Sequence, residues 1–184
     1  MGAVRPFFIG GITLNQKIRH LTHGALIAAL YVALTYFQNL LLPGSATWAI
    51  QFRISEALCV LALFTPSAIG GLSVGCLLFN LSYSAALPLD FLIGTLATTL
   101  ACSCMYLTRK IIFRGTPFLS LMMPAIWNAL LVGWELAVYI GGGFWLNAMY
   151  VAIGEAAVLL ILGSALYRIL QSRGLANRLF GPGR

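Results

Sequence analysis

The chain has 184 residues, 60% of them hydrophobic and only 8% charged, with a formal net charge of +7. A globular domain of this size needs a charged surface to stay dispersed, so the composition excludes a soluble monomer and indicates an integral membrane protein. The positive balance does not point to nucleic acid, because phosphate binding needs cations clustered on one folded face, and here they fall between and beyond apolar runs.

Residues 1–21 read as a cytoplasmic N-terminal extension. Their apolar run, Phe7 to Leu14, is short and glycine-broken, and no small-residue cleavage site follows it as in a secretory leader. Residues 22–170 read as a six-helix transmembrane domain. A crossing helix needs about 20 apolar residues, and the candidates are Thr22 to Leu42, Ile50 to Thr65, Pro66 to Ala86, Leu89 to Leu107, Leu119 to Ile140 and Trp145 to Leu170. Pro43-Gly44, Thr65-Pro66, Pro88, Pro117 and Gly141-Gly142-Gly143 separate them. The second and third candidates together exceed one crossing and contain Pro66, which favours two helices over one. Residues 171–184 form a basic cytoplasmic tail. The predicted fold class is an all-α membrane protein of six transmembrane helices.

Direction follows from the cations. Arg5, Lys17 and Arg19 precede the first span, Arg109, Lys110 and Arg114 lie between the fourth and fifth, and Arg168, Arg173, Arg178 and Arg184 close the chain. Positive loops stay inside, so both termini are expected in the cytoplasm. The exception is Arg53, which lies within the apolar sequence and whose role must be local.

The four acidic residues of the chain, Glu56, Asp90, Glu135 and Glu155, all lie in or beside these spans. A carboxylate at membrane depth costs a few kcal/mol even on lenient scales, so four of them indicate a polar binding site. Helix arithmetic puts Asp90 at the outer mouth, Glu56 and Glu135 roughly 9 Å below it and Glu155 roughly 15 Å down. Gln51, Arg53, Asn80 and Asn128 fall in the same outer or middle zone. Each has a plainer reading. Arg53 and Glu56, three apart, can form a neutralising pair; Asp90 after Pro88 suits a helix start; Asn128 after Pro124 can satisfy a carbonyl freed by the proline. Glu135 and Glu155 lack a sequence-local cation, which leaves inter-helix hydrogen bonding or a protonated state as the plain alternative to ligand contact. The four tryptophans are interfacial by default, but Trp48 and Trp134 lie at pocket height and can stack on a flat ligand. His20 and His23, at the cytoplasmic start of the first span, are far from every acid. Carboxylates, amides and an arginine together suit a planar, donor-rich ligand such as a guanine-like edge, whose ring N–H and exocyclic amine can both bond one carboxylate.

The run Gln51-Phe52-Arg53-Ile54-Ser55-Glu56-Ala57-Leu58 resembles the signature of the QueT family, queuosine-precursor substrate-binding subunits (S-components) of energy-coupling factor (ECF) transporters. GGLSVGCLLFNL at Gly70 to Leu81, LDFLIGTLAT at Leu89 to Thr98, PAIWNALLVG at Pro124 to Gly133 and the Gly154-Glu155 pair extend the likeness over Thr22 to Leu170. The resemblance implies a six-helix S-component bundle in a bacterial plasma membrane, its pocket toward the outside, docked on a membrane T-component with two cytoplasmic ATPases. It implies a 7-deazaguanine substrate, the aminomethyl precursor or queuine, whose side-chain amine is cationic. Glu155 and Asn128 are then expected on the base edge, with Glu56, Asp90 and Glu135 near the amine or holding Arg53. S-components also carry a small-residue stripe on the first helix that meets the T-component, here Ala25, Ala29 and Ala33. Small residues four apart allow close helix approach in any membrane protein, so packing inside the protein is the alternative.

No G-x-x-x-x-G-K-[ST] phosphate loop is present, so no cofactor is expected in this chain and ATP is left to the partner ATPases. No HExxH motif supports an enzyme. Cys59, Cys76, Cys102 and Cys104 lie in apolar stretches without metal-type spacing, so neither a disulfide framework nor a metal site is expected. The competing class is an autonomous proton-coupled carrier in which Glu135 or Glu155 cycles a proton, although six helices without clear internal repeats suit it poorly.

Overall fold

The computed structural model describes residues 8–9, 12–13, 16–43, 52–83, 86–172 and 174–180. Two two-residue strands, β1 (Phe8–Ile9) and β2 (Ile12–Thr13), pair antiparallel ahead of the helices. The helices are α1 (Gln16–Leu41), a 3₁₀ helix (Ile54–Leu63), α2 (Ser67–Ser82), α3 (Asp90–Thr108), α4 (Phe118–Leu121), α5 (Met123–Tyr139), α6 (Phe144–Val158), a π-helical turn (Leu159–Gly163), α7 (Ser164–Ser172) and α8 (Leu175–Phe180). All six apolar segments of the sequence are therefore helical. α1 opens at Gln16, ahead of the expected Thr22.

Four helical runs are long and apolar enough to cross a membrane: Gln16–Leu41, Asp90–Thr108, Phe118–Tyr139 and Phe144–Ser172. Ile54–Leu63 and Ser67–Ser82 are shorter. Hydrogen bonds fix how the first of these shorter segments runs. Gln38 near the end of α1 donates to the Phe52 carbonyl and accepts from the Ile54 amide (2.7 Å), while His20 near its start bonds the Ser67 hydroxyl (2.8 Å). The segment from Phe52 to Pro66 thus runs back along most of α1. As an α-helix it would be too short. At about 2.0 Å per residue the 3₁₀ helix spans about 20 Å, where α geometry would give about 15 Å, and the residues flanking it cover the rest of the roughly 27 Å between His20 and Gln38.

Side chains at i and i+3 eclipse in a 3₁₀ helix, which is why such runs are usually brief. Here the ridges include small side chains, among them Ser55, Ala57, Cys59 and Ala62, and every residue from Ser55 to Leu63 is buried. Thr65-Pro66 ends the run and α2 then rises parallel to α1. The two helices touch through glycine: a Cβ on Gly71 would lie 2.5 Å from the Gly24 carbonyl oxygen, and one on Gly75 would lie 2.9 Å from Tyr31 Cβ.

α3 descends against α2, with Ser73 meeting Thr99 (2.7 Å) and Asn80 meeting the Asp90 carbonyl (2.9 Å). α5 climbs and α6 descends, joined through Gly141, Gly142 and Gly143, all at positive φ, a turn clamped by the Asn147 amide on the carbonyls of Gly141 (2.7 Å) and Gly143 (3.1 Å). The bundle consequently has two distinct ends. The mouth end carries Gln38, Asp90 and the α5–α6 turn. The basal end carries His20, Ser67, the α3–α4 connection and Phe180, whose ring sits edge-on to His23 at 5.6 Å. Of the described cations, Lys17, Arg19, Arg109, Lys110, Arg114, Arg168 and Arg178 belong to basal segments, and Arg53 belongs to the mouth half.

The larger apolar core joins α1, the 3₁₀ helix, α2, α3 and the C-terminal helices through residues such as Tyr31, Leu72, Met105, Leu121 and Tyr167. A smaller one, Ile93, Val132, Leu136 and Val151, lies toward the mouth. The exterior is apolar as well: Leu26, Leu30, Leu78, Leu96, Leu130, Val138, Ile153 and Ile161 point outward. Soluble proteins rarely expose hydrophobic surface on this scale; a lipid-facing bundle does.

Candidate substrate-binding site

All four carboxylates are buried, but they have two different kinds of environment. Asp90, the first residue of α3, faces Arg53, whose Nη2 lies 3.6 Å from Asp90 Oδ1 with both side chains almost closed to solvent. The sequence-local Arg53–Glu56 pair is thus replaced by a cross-segment pair, because Arg53 precedes the 3₁₀ helix in extended backbone. Glu56 is held by other donors. The Tyr31 hydroxyl donates to its Oε1 (2.8 Å) and the Cys59 thiol to its Oε2 (3.0 Å), the latter along the i, i+3 ridge of the 3₁₀ helix.

Glu135 on α5 and Glu155 on α6 are 0% exposed, and neither oxygen of either carboxylate has a hydrogen-bond partner among the described residues. Asn128, 2% exposed on α5, is likewise without a hydrogen-bond partner on both its amide atoms. Its amide does not repair a proline break, because α5 begins at Met123 and Pro124 falls in its first turn, where a missing N–H is harmless. Buried polar groups are nearly always bonded, so three unsatisfied side chains on two adjacent helices need an explanation beyond folding. The fold itself gains nothing from them.

Electrostatic contact joins the set. Arg53 is in range of Asp90, Tyr31, Cys76 and Glu56; Glu135 is in range of Asp90 and Arg53; Glu155 is in range of Glu56 and Arg53, with the Asn128 amide beside it at a geometry short of a full hydrogen bond. The amide of Asn80, besides bonding the Asp90 carbonyl, lies beside Gly94, where a Cβ would come within 2.8 Å of its Nδ2 and 3.4 Å of Asp90 Oδ1. Thus Arg53, Glu56, Asn80, Asp90, Asn128, Glu135 and Glu155 are all buried, and the pairwise contacts link them into one polar region. Trp134 is 49% exposed and lies outside this buried set, as an interfacial anchor would, and Trp145 is 80% exposed. Trp48 and Gln51 fall outside the described residues.

Sequence reasoning passed over the α1 wall of this region. Tyr31, Thr35, Gln38 and Asn39 are buried polar residues at i, i+4, i+7 and i+8, one stripe of an otherwise apolar helix. Thr35 donates to Ser55 (2.7 Å), and Tyr83 donates to Asn39 (3.4 Å). A period-matched polar stripe within a crossing helix was the available signal. On the remaining faces of α1, Ala25, Ala29 and Ala33 are exposed, away from the α2 contact.

An all-helical bundle, apolar inside and out, with a buried polar region toward one end defines a multi-pass membrane protein. The profile of the QueT transporter family matches residues 21–172, and the chain belongs to that family. No curated protein and no solved structure matches the chain.

Proposed function

We propose that this chain is the substrate-binding subunit of an ECF-type importer, capturing a queuosine precursor, a 7-deazaguanine base, from outside the cell. The observation that carries the reading is the set of three buried, unpartnered side chains, Asn128, Glu135 and Glu155. Carboxylates accept hydrogen bonds and the primary amide both donates and accepts, which matches a guanine-like edge with adjacent N–H donors and a carbonyl. Glu155 and Asn128 sit at similar depth and take that edge; Arg53, Asp90, Glu56 and Asn80 form the wall that holds the region in shape.

The course of the 3₁₀ helix back along α1, with α2 rising beside it, supports six crossings. A cytoplasmic basal end agrees with its cations and supports a mouth that faces outside. The exposed Ala25, Ala29 and Ala33 stripe suits docking on a membrane T-component, whose two ATPases supply the energy; small residues there let helices approach closely.

Calorimetry on purified protein with 7-aminomethyl-7-deazaguanine tests the reading. Wild-type protein binds, and Glu155→Gln and Asn128→Ala each weaken binding by about tenfold or more, since a lost hydrogen bond to a charged group is worth ~1.5–3 kcal/mol. Unchanged affinity in both variants would overturn the base-edge assignment. Uptake into liposomes by this chain alone, driven by a pH gradient, would replace the importer reading with the proton-coupled carrier.

A further inference from the structure

Charge is unevenly matched in the polar region. Four carboxylates are buried, and Arg53 is the described cation of the mouth half, the other seven lying in basal segments. Asp90 is paired with Arg53, and Glu56 has a donor on each oxygen. Glu135 and Glu155 have none among the described residues. A buried carboxylate without a hydrogen-bond partner is costly, and Arg53, whose charge reaches both acids, is already paired with Asp90, so a cationic ligand group would supply what they lack.

The two unpartnered acids also lie at different depths. Gly133 on α5 packs on α6 so closely that a Cβ there would come within 2.7 Å of Ala148 Cα, which fixes the relative height of these antiparallel helices. Counted from that contact, Asn128 lies about 7 Å and Glu155 about 10 Å toward the basal end, while Glu135 lies about 3 Å toward the mouth. Helical side chains lean toward the N-terminus of their own helix. On antiparallel helices, Glu135 therefore leans basally and Glu155 leans toward the mouth, each in the direction of the other's level.

We propose that Glu135 sets the charge specificity of the site: it binds a protonated amine at the mouth-side end of a ligand whose heterocyclic edge is held at the basal end by Glu155 and Asn128. The assignment rests on the deazaguanine reading and adds the ligand's orientation and the charge it carries. Bases with an aminoalkyl substituent are preferred over neutral bases of the same shape. The substituent points toward the mouth, where larger groups on the amine meet the outer end of the bundle and not its core.

The test is calorimetry on the full chain with two probes, cationic 7-aminomethyl-7-deazaguanine and its neutral 7-cyano counterpart. Wild-type protein favours the cationic probe. Glu135→Gln lowers affinity for the cationic probe by about 10- to 100-fold and for the neutral one by less than about threefold, because a charge-assisted contact is lost only in the first case. Glu155→Gln weakens both. Retained binding of the neutral probe shows that the Glu135→Gln protein is folded. An equal, partial loss for both probes, or loss for neither, would overturn the assignment. If Glu135→Gln binds neither probe, Glu135→Asp decides: recovery of the cationic preference supports the proposal and failure to recover it overturns it. Wild-type protein that binds neither probe would instead refute the deazaguanine reading itself, and the Glu135 assignment with it.

Discussion

Breaking the Arg53–Asp90 pair isolates the contribution of the fixed wall. With 3.6 Å between Arg53 Nη2 and Asp90 Oδ1, the attraction is about 4–5 kcal/mol at the effective dielectric of ~20 suited to protein sites. Loss of one partner from a buried pair costs about 3–5 kcal/mol by mutational precedent. Arg53→Met is expected near the top of that range, because it leaves Asp90 unpaired and also removes the cation facing Glu56, Glu135 and Glu155. Asp90→Asn costs less, since Arg53 retains Glu56 within range. The double variant recovers roughly 2 kcal/mol relative to the sum, a coupling typical of directly interacting groups. Thermal and denaturant unfolding of the four proteins in nanodiscs measures the cycle. Additivity within about 0.5 kcal/mol would show that the two side chains do not depend on each other, and the reasoning about the wall would fail.

Gly75→Leu should strongly reduce thermal stability, because its Cβ would lie 2.9 Å from Tyr31 Cβ and 3.0 Å from the Ala28 carbonyl oxygen, whereas Gly70→Ala, with nothing within 4 Å, should be tolerated in the same melting assay. Asn147→Ala removes both amide bonds to the α5–α6 turn and should lower unfolding stability by about 1–2 kcal/mol. Ala29→Trp changes an exposed position; calorimetry should show unchanged ligand binding, while ATP-dependent uptake by the reconstituted complex should fall, and unimpaired uptake would remove the α1 stripe from the docking surface.

Much of the architecture was legible because crossing a bilayer imposes a length and a hydropathy on each segment. All six apolar runs are helical, and the breaks at Pro66 and the Gly141–Gly143 turn fall where glycine and proline chemistry put them. The 3₁₀ geometry of Ile54–Leu63 was not legible: hydropathy reports burial, and a short, uniformly apolar run carries no sign of its rise per residue. Which polar residues are buried was largely readable, since an acid in an apolar span is conspicuous at any rotation. Partners were not. Arg53 lies three residues from Glu56 in sequence, yet its ion pair crosses to α3, and Trp134 stands at the right height but faces outward. Depth follows from counting, whereas azimuth depends on packing such as Gly133 on Ala148, which has no signature in a single helix. Tyr31, Thr35, Gln38 and Asn39 were missed for a different reason. Acids drew attention to themselves, and neutral polar side chains in a long apolar helix did not, although their spacing was regular.

The most direct test of the central claim is a structure of the protein with 7-aminomethyl-7-deazaguanine bound. The account predicts one heterocycle enclosed by the bundle, its base edge on Glu155 and Asn128 and its amine on Glu135, with Arg53 still paired to Asp90. A ligand seated elsewhere, with Asn128, Glu135 and Glu155 still making no contact to it, would contradict the account.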